Sequence, residues 1–355
     1  MMTSILACTA LFQLRFQPIN KLPLTPTGND FWFVALGDNR PARPGLPPTR
    51  TFKQLIDEVG TIGPSFVISS GDLLYGNEET VAQYKQEIVW IRPVIQTLPC
   101  PFFNAPGNHE INNRPEFLKE YTAAFGAPYG SFDFGQFRFV AVCTEIPAPN
   151  PTVFEPELSW LKTVLDGSKP AVVFQHHPVF PRKSNEEKET SAVSNAAELH
   201  SIYQNGGVKL VVEGHDHVYD AQNHDGIDYR IAGGAGAPLD GVPGDGGFFH
   251  FMLVHVHGSE LTATLIPAGT LEILPIKEGV VAAANYAYAD LPVTNLRIQS
   301  SFRPKSVTAD VTSKKGKKKE IEAKIVSISK VGSLFETRVA LTLTRARATY
   351  VRLGR

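Results

Sequence analysis

The run "FWFVALGD" (31–38) is six apolar residues that stop at Gly37 and Asp38. "SFVISSGD" (65–72) repeats the pattern, an apolar run closed by Gly-Asp. "VVEGHDHVY" (211–219) varies it: the run breaks at Gly214, and His215 and His217 follow with only Asp216 between them. Short apolar runs bounded by glycine read as buried strands. In an extended segment, side chains two apart point to one face. Two imidazoles placed so can close on a metal ion, or they can be an ordinary pair in a polar loop.

Helical spacing fills the intervals. "TFKQLIDEVG" (51–60) reads as a helix closed by Gly60, and "EETVAQYKQEIVWIRPVIQTL" (78–98) as a long amphipathic helix despite Pro93. "ELSWLKTVLDGS" (157–168) and "AELHSIYQNGG" (197–207) read as two more. "PFFNAPGNHE" (101–110) is a strand running into a polar turn, and "GSFDFGQFRFVAVCT" (130–144) a hairpin. "PAVVFQHHP" (170–178), "YRIAGGAG" (229–236) and "HFMLVHVHGSELTATLI" (250–266) add further strands. Strands alternating with helices predict an α/β layered fold. Helical signals stop after about residue 268, and the remainder of the chain is strand-like with turn punctuation. The expected division is an N-terminal extension (1–30), a main domain (31–268), a linker (269–289) and a small β-sandwich-like domain (290–355).

The chain has 355 residues, 43% hydrophobic and 19% charged, enough apolar material for a large core. A net charge of −1 gives no global reason to expect nucleic acid or an anionic membrane as partner. The basic run "SKKGKKKE" (313–320) reads as a solvated hairpin loop. Cys8, Cys100 and Cys143 lie far apart and form neither a CxxC pair nor a disulfide framework. Cys143 reads as a buried thiol. No window reaches the roughly 18 apolar residues of a membrane-spanning helix. The segment "MMTSILACTALFQLRF" (1–16) has the apolar part of a secretory leader without its basic lead-in, and tilts the expected location toward extracytoplasmic.

Five strand ends finish in metal-type donors: "GDNR" (37–40), "GDLLY" (71–75), "GNHE" (107–110), "HHP" (176–178) and "GHDH" (214–217). In open α/β sheets, ligands bind at the carboxyl ends of strands, where the loops converge. Lone Gly-Asp or His-His pairs are common. Five such blocks in this order form a pattern.

In these blocks the sequence resembles the calcineurin-like metallophosphoesterase family over about residues 31 to 268. The resemblance implies an αββα fold, a layered β-sandwich core flanked by helices, and two metal ions about 3.5–4 Å apart. It places Asp72 between the ions, Asp38 and His217 on the first, and Asn108, His176 and His215 on the second. His109 would face the leaving-group oxygen. One block departs from the family pattern, in which the first is Asp-x-His: here it is Asp38-Asn39-Arg40, and arginine has no lone pair to give. Tyr75, three residues after Asp72, matches the purple acid phosphatase branch, where a tyrosine binds the first ion. Free tyrosine titrates near about 10, so a phenolate ligand implies Fe(III) there, paired with zinc, manganese or divalent iron.

The implied reaction is phosphoester hydrolysis, with a metal-bridging hydroxide attacking phosphorus in line. The branch favours a small phosphomonoester. The alternatives are a phosphodiesterase on the same site, or a non-catalytic metal-binding protein that attaches to a surface. Arg40 reads as a phosphate contact or as an ordinary surface arginine. His177 is left outside the site, and His250, His255 and His257 read as plain strand positions. Loops 39–50, 111–130 and 181–195 are the expected carriers of specificity.

Overall fold

The computed structural model describes residues 16–25, 28–76, 80–111, 114–146, 151–182, 191–242, 245–268, 281–283, 294–300, 303–313, 317–331, 334–341 and 346–354. The leader-like residues 1–15, loop residues 183–190, most of the linker stretch 269–289 and residues 314–316 of the basic run lie outside the described residues.

The runs quoted at 31–38, 65–72 and 101–110 become adjacent parallel strands. β1 (Asp30–Leu36), β2 (Val67–Ser69) and β3 (Phe102–Asn104) align so that Leu36 pairs with Ser69 and Ser69 with Asn104. β10 (His250–His257) and β11 (Glu260–Pro267) extend this sheet antiparallel, giving the order β11-β10-β1-β2-β3. A second sheet holds β4 (Gly130–Phe134), β5 (Phe137–Ala141), β6 (Ala171–Phe174), β7 (Val208–Glu213), β8 (Tyr219–His224) and β9 (Ile227–Ala232), in the order β4-β5-β6-β7-β9-β8. In it Ala141 pairs with Phe174, and Phe174 with Val212. These registers align the carboxyl ends of β1, β2 and β3 in one sheet and of β5, β6 and β7 in the other, so the polar residues after them meet.

Alternation decides which face goes where. Phe31, Phe33 and Ala35 of β1 join Phe139, Val172, Phe174, Leu210 and Val212 of the second sheet in one apolar core. The rings of Phe66 and Phe33 stack at 5.3 Å, and Phe139 meets Phe66 edge-on at 4.9 Å. Such aromatic pairs add about 0.5–1.5 kcal/mol each beyond area burial. The other face of β1 (Val34, Leu36) packs with α1 (Arg50–Ile62), α2 (Val81–Gln96) and α4 (Pro115–Phe125) through Phe52, Leu55, Ile88, Ile91 and Phe117. α5 (Glu157–Val164) and α6 (Ala196–Asn205) cover the outer face of the second sheet through Leu161, Leu199 and Tyr203. The result is the αββα layering expected.

Local details differ from the sequence reading. Gly60 lies inside α1. The helix ends instead at Gly63, whose left-handed backbone (φ 61°) directs its N–H to Val59. Thr80 begins α2 through a capping box with Gln83, and the helix continues past Pro93. The polar turn after β3 is a short helix, α3 (Asn108–Ile111), and the 111–130 loop contains α4. Strand structure resumes at Tyr219, through a β8–β9 hairpin whose turn carries Asp225 and Gly226.

Beyond residue 280 the described residues form two small antiparallel sheets. One contains β12 (Val281–Ala283), β18 (Ala346–Gly354), β14 (Ser306–Ser313) and β15 (Lys318–Glu322) in that order; the other has β13 (Thr294–Ser300), β17 (Leu334–Leu341) and β16 (Lys324–Val331). Among the described residues Cys100 and Cys143 are free and buried, and no helix is long and apolar enough to cross a membrane.

Candidate metal centre

The five blocks meet at one rim. Asp38, Asp72 and His217 offer ligand atoms within 4.8 Å of one another, and His176, His177 and His215 do the same. Asp72 links the two groups: its Oδ1 lies 3.4 Å from His176 Nε2. Asn108 Oδ1 lies 2.8 Å from His176 Nε2 and 3.2 Å from His215 Nδ1. His217 Nε2 lies 3.6 Å from Asp38 Oδ1.

Backbone conformation aims these groups. Asp38, Asp72 and His215 each follow a glycine and hold positive φ, at 60°, 55° and 69°. Non-glycine residues rarely adopt that region, and where they do they cluster at functional sites. The glycines keep the cradle open. A Cβ at Gly107 would stand 2.2 Å from Asp72 Oδ1, and one at Gly214 would stand 2.6 Å from Asp38 Oδ2.

The hydrogen bonds around the imidazoles set their tautomers. His176 Nδ1 donates to the Ser70 carbonyl at 2.9 Å, and His217 Nδ1 donates to the Pro238 carbonyl at 2.6 Å. A carbonyl oxygen can only accept, so in the neutral ring each Nε2 is a lone pair facing the rim. Burial lowers the pKa of His176, His215 and His217, and so favours the neutral, ligating form of each. The His176 lone pair therefore points at an amide oxygen and a carboxylate oxygen with no proton between them. A cation resolves that arrangement. Burial, followed by the charge of Asp72, pushes Asp38 well above the ordinary carboxylate range. Burial acts on Asp72 in the same direction, but His176, His109, Arg40 and His217 together outweigh it and hold Asp72 low. Two buried carboxylates, an amide oxygen and three imidazoles suit a pair of divalent or trivalent transition ions.

The remaining sequence-read residues line the same rim. His109 Nδ1 bonds to the Tyr75 carbonyl, which leaves Nε2 facing Asp72 Oδ2 at 3.8 Å. The Tyr75 ring stands 5.3 Å from the His109 ring, and the Tyr75 backbone N–H donates to Glu87 of α2 at 2.6 Å. Arg40 is turned inward and only 15% exposed, with Nε 3.4 Å from Asp72 Oδ2 and its guanidinium 5.6 Å from the Tyr75 ring centre. It is not an ordinary surface arginine.

Three features lay outside the site as read from the sequence. His177 lies in the cluster, its ring 4.0 Å from that of His215 and its Nδ1 2.5 Å from Glu145 Oε1. Its position directly after His176 was the available signal. Glu110, the last letter of "GNHE", is fully buried and accepts from four backbone N–H groups: Asp72 (2.9 Å), Gly107 (2.7 Å), Leu74 (3.0 Å) and Leu73. It splints the second block to the third. Burial, with Asp72 nearby, lifts its pKa to about 8 against the pull of those donors. Asp240 receives the His217 backbone N–H at 2.9 Å, and no sequence pattern marks it.

A profile of the calcineurin-like phosphoesterases matches residues 31–219. The serine/threonine-protein phosphatase CPPED1 of Danio rerio is 25% identical over 207 residues, 53% of this chain and 65% of that protein's length. A dimetal phosphatase structure from Danio rerio superposes with a TM-score of 0.54 at 13% identity, covering 67% of this chain and 96% of that one. GAP50, the anchor in the inner membrane complex of Plasmodium, superposes at 0.51 with 12% identity, covering 69% and 87%. At these identities the two structures speak for the fold alone.

Proposed function

The chain belongs to the calcineurin-like phosphoesterase family, and from that premise we propose that it is a dinuclear-metal phosphomonoesterase. The observation that carries this reading is the set of acceptor atoms converging without protons: His176 Nε2, Asn108 Oδ1 and Asp72 Oδ1. Asp38, Asp72 and His217 would hold the first ion, and Asn108, His176 and His215 with Asp72 the second. Tyr75 would join the first ion, and a phenolate ligand would favour Fe(III) there with zinc, manganese or divalent iron as partner. When bound, the ions supply Lewis acidity toward water and toward the phosphoryl oxygens.

The chain's own residues do the rest. Water adds to phosphorus and the ester oxygen leaves in line. His109 delivers a proton to that oxygen from Nε2, because Nδ1 is committed to the Tyr75 carbonyl. Arg40 supplies a cation beside Asp72 that can pair with the terminal oxygens of a phosphate. A monoester dianion carries one more charge than a diester, so this guanidinium favours the monoester.

Elemental analysis of protein purified without chelator, combined with hydrolysis of p-nitrophenyl phosphate and bis-p-nitrophenyl phosphate, tests the reading. Two ions per chain and preferred monoester turnover are expected. Preference for the bis ester transfers the site to diesters, and absence of both metal and turnover removes the enzyme reading. A broad visible tyrosinate-to-iron band assigns Tyr75. A colourless, active zinc or manganese protein removes Tyr75 and iron from the site.

A further inference from the structure

The run "HVH" (255–257) places two imidazoles on one face of β10. β10 pairs antiparallel with β1, so that His257 stands opposite Asp30 and His255 opposite Trp32. Asp30 and Trp32 share a face of β1 by the same alternation, and all four side chains converge. His255 Nε2 lies 2.6 Å from Asp30 Oδ1, and His257 Nδ1 lies 3.2 Å from Asp30 Oδ2. The His255 ring stacks on Trp32 with centres 4.1 Å apart and planes 8° apart, which fixes its orientation. One donor atom from each of Asp30, His255 and His257 lies within 4.8 Å of the others.

We propose that Asp30, His255 and His257 form a third metal site, separate from the catalytic rim, for a borderline divalent ion such as Zn(II). Metal–donor distances of about 2.0–2.2 Å and tetrahedral angles put neighbouring donors about 3.3–3.5 Å apart. The separations present, 2.6 and 3.2 Å to the Asp30 oxygens and no more than 4.8 Å between any two donors, bracket that spacing. Two imidazoles and one carboxylate select zinc, copper or nickel over magnesium or calcium. Hydrogen bonding from His255, the largest influence on Asp30, holds its carboxyl below the ordinary range and keeps it anionic. The fourth position opens to water, since Asp30 and His257 are exposed.

Asp30 begins β1 and the catalytic loop follows its end at Leu36, about 20 Å away at a strand's rise per residue. An ion here cannot take part in hydrolysis. It would tie the first strand of the sheet to β10, whose His255 lies 225 residues after Asp30, and so stabilise the folded state by mass action.

Equilibrium dialysis against Zn(II) followed by elemental analysis compares the full chain with His257→Ala, a substitution at an exposed position. The wild type is expected to retain one zinc more per chain, while turnover of p-nitrophenyl phosphate is the same in both. Titration with Cu(II), a tryptophan quencher, gives a second readout through the stacked Trp32. Saturable one-site quenching is expected, weakened at least tenfold in His257→Ala and in Asp30→Asn. Equal zinc content in wild type and His257→Ala overturns the proposal, whether or not the catalytic rim holds its own ions.

Discussion

Asn108 Oδ1 lies 2.8 Å from His176 Nε2, although the two residues are 68 positions apart and come after strands of different sheets. The site is therefore a seam between the sheets. Substituting either residue by alanine should reduce metal content from two ions to one. Turnover should fall by about three orders of magnitude or more, as expected when several kcal/mol of charge stabilisation go. Elemental analysis alongside p-nitrophenyl phosphate kinetics checks this. Two retained ions in His176→Ala would dissolve the second ion's ligand set.

His109 faces the rim through Nε2 without belonging to either ligand cluster. The expected phenotype of His109→Ala is unchanged metal content with turnover lower by about two to four orders of magnitude. A substrate with a better leaving group should narrow the deficit, because it needs less protonation. Equal deficits for good and poor leaving groups would remove the general-acid role.

Glu110 joins two blocks through four accepted N–H bonds, two at each carboxylate oxygen. In Glu110→Gln an NH2 group replaces one oxygen and opposes two backbone donors. Stability should drop by about 2–4 kcal/mol, the scale of buried groups left facing like partners. Urea unfolding of the metal-free protein reads this directly.

His250 is buried at the start of β10, and burial pulls its pKa down to about 4 from 6.5. Between these values the unfolded chain takes up a proton that the folded one refuses, so stability rises with pH across that interval. The contribution is complete above about pH 6.5 and is lost as pH falls toward 4, to a total of roughly 3 kcal/mol. In metal-free protein, His250→Gln should flatten the fall in melting temperature between pH 7 and pH 5. An identical fall in both proteins would show that the imidazole does not titrate as its burial demands.

The apolar runs ending in glycine made the sheets and the rim legible, because burial on two faces and a turn at the carboxyl end are both local signals. Asp38, Asp72, Asn108, His176, His215 and His217 converge as the order of the blocks implied. What escaped was set by tertiary contact. Glu145 reaches His177 across 32 positions, and Asp240 reaches His217 across 23, with no periodicity to announce either. α4 was missed because its first turn is Pro115 and Glu116 after a polar stretch, which resembles a loop until Phe117, Tyr121 and Phe125 are seen to pack together. The "HVH" alternation was visible, but its partner Asp30 lies 225 residues away.

The left-handed backbone at Asp38, Asp72 and His215 has an evolutionary corollary. Each such residue lowers stability by about 1–3 kcal/mol relative to a relaxed backbone. Glycine or asparagine at these positions would relieve the torsion, and in place of the aspartates would also discharge a buried carboxylate. Laboratory selection for heat resistance, with no demand on turnover, should thus erode the rim before it touches the phenylalanine layer.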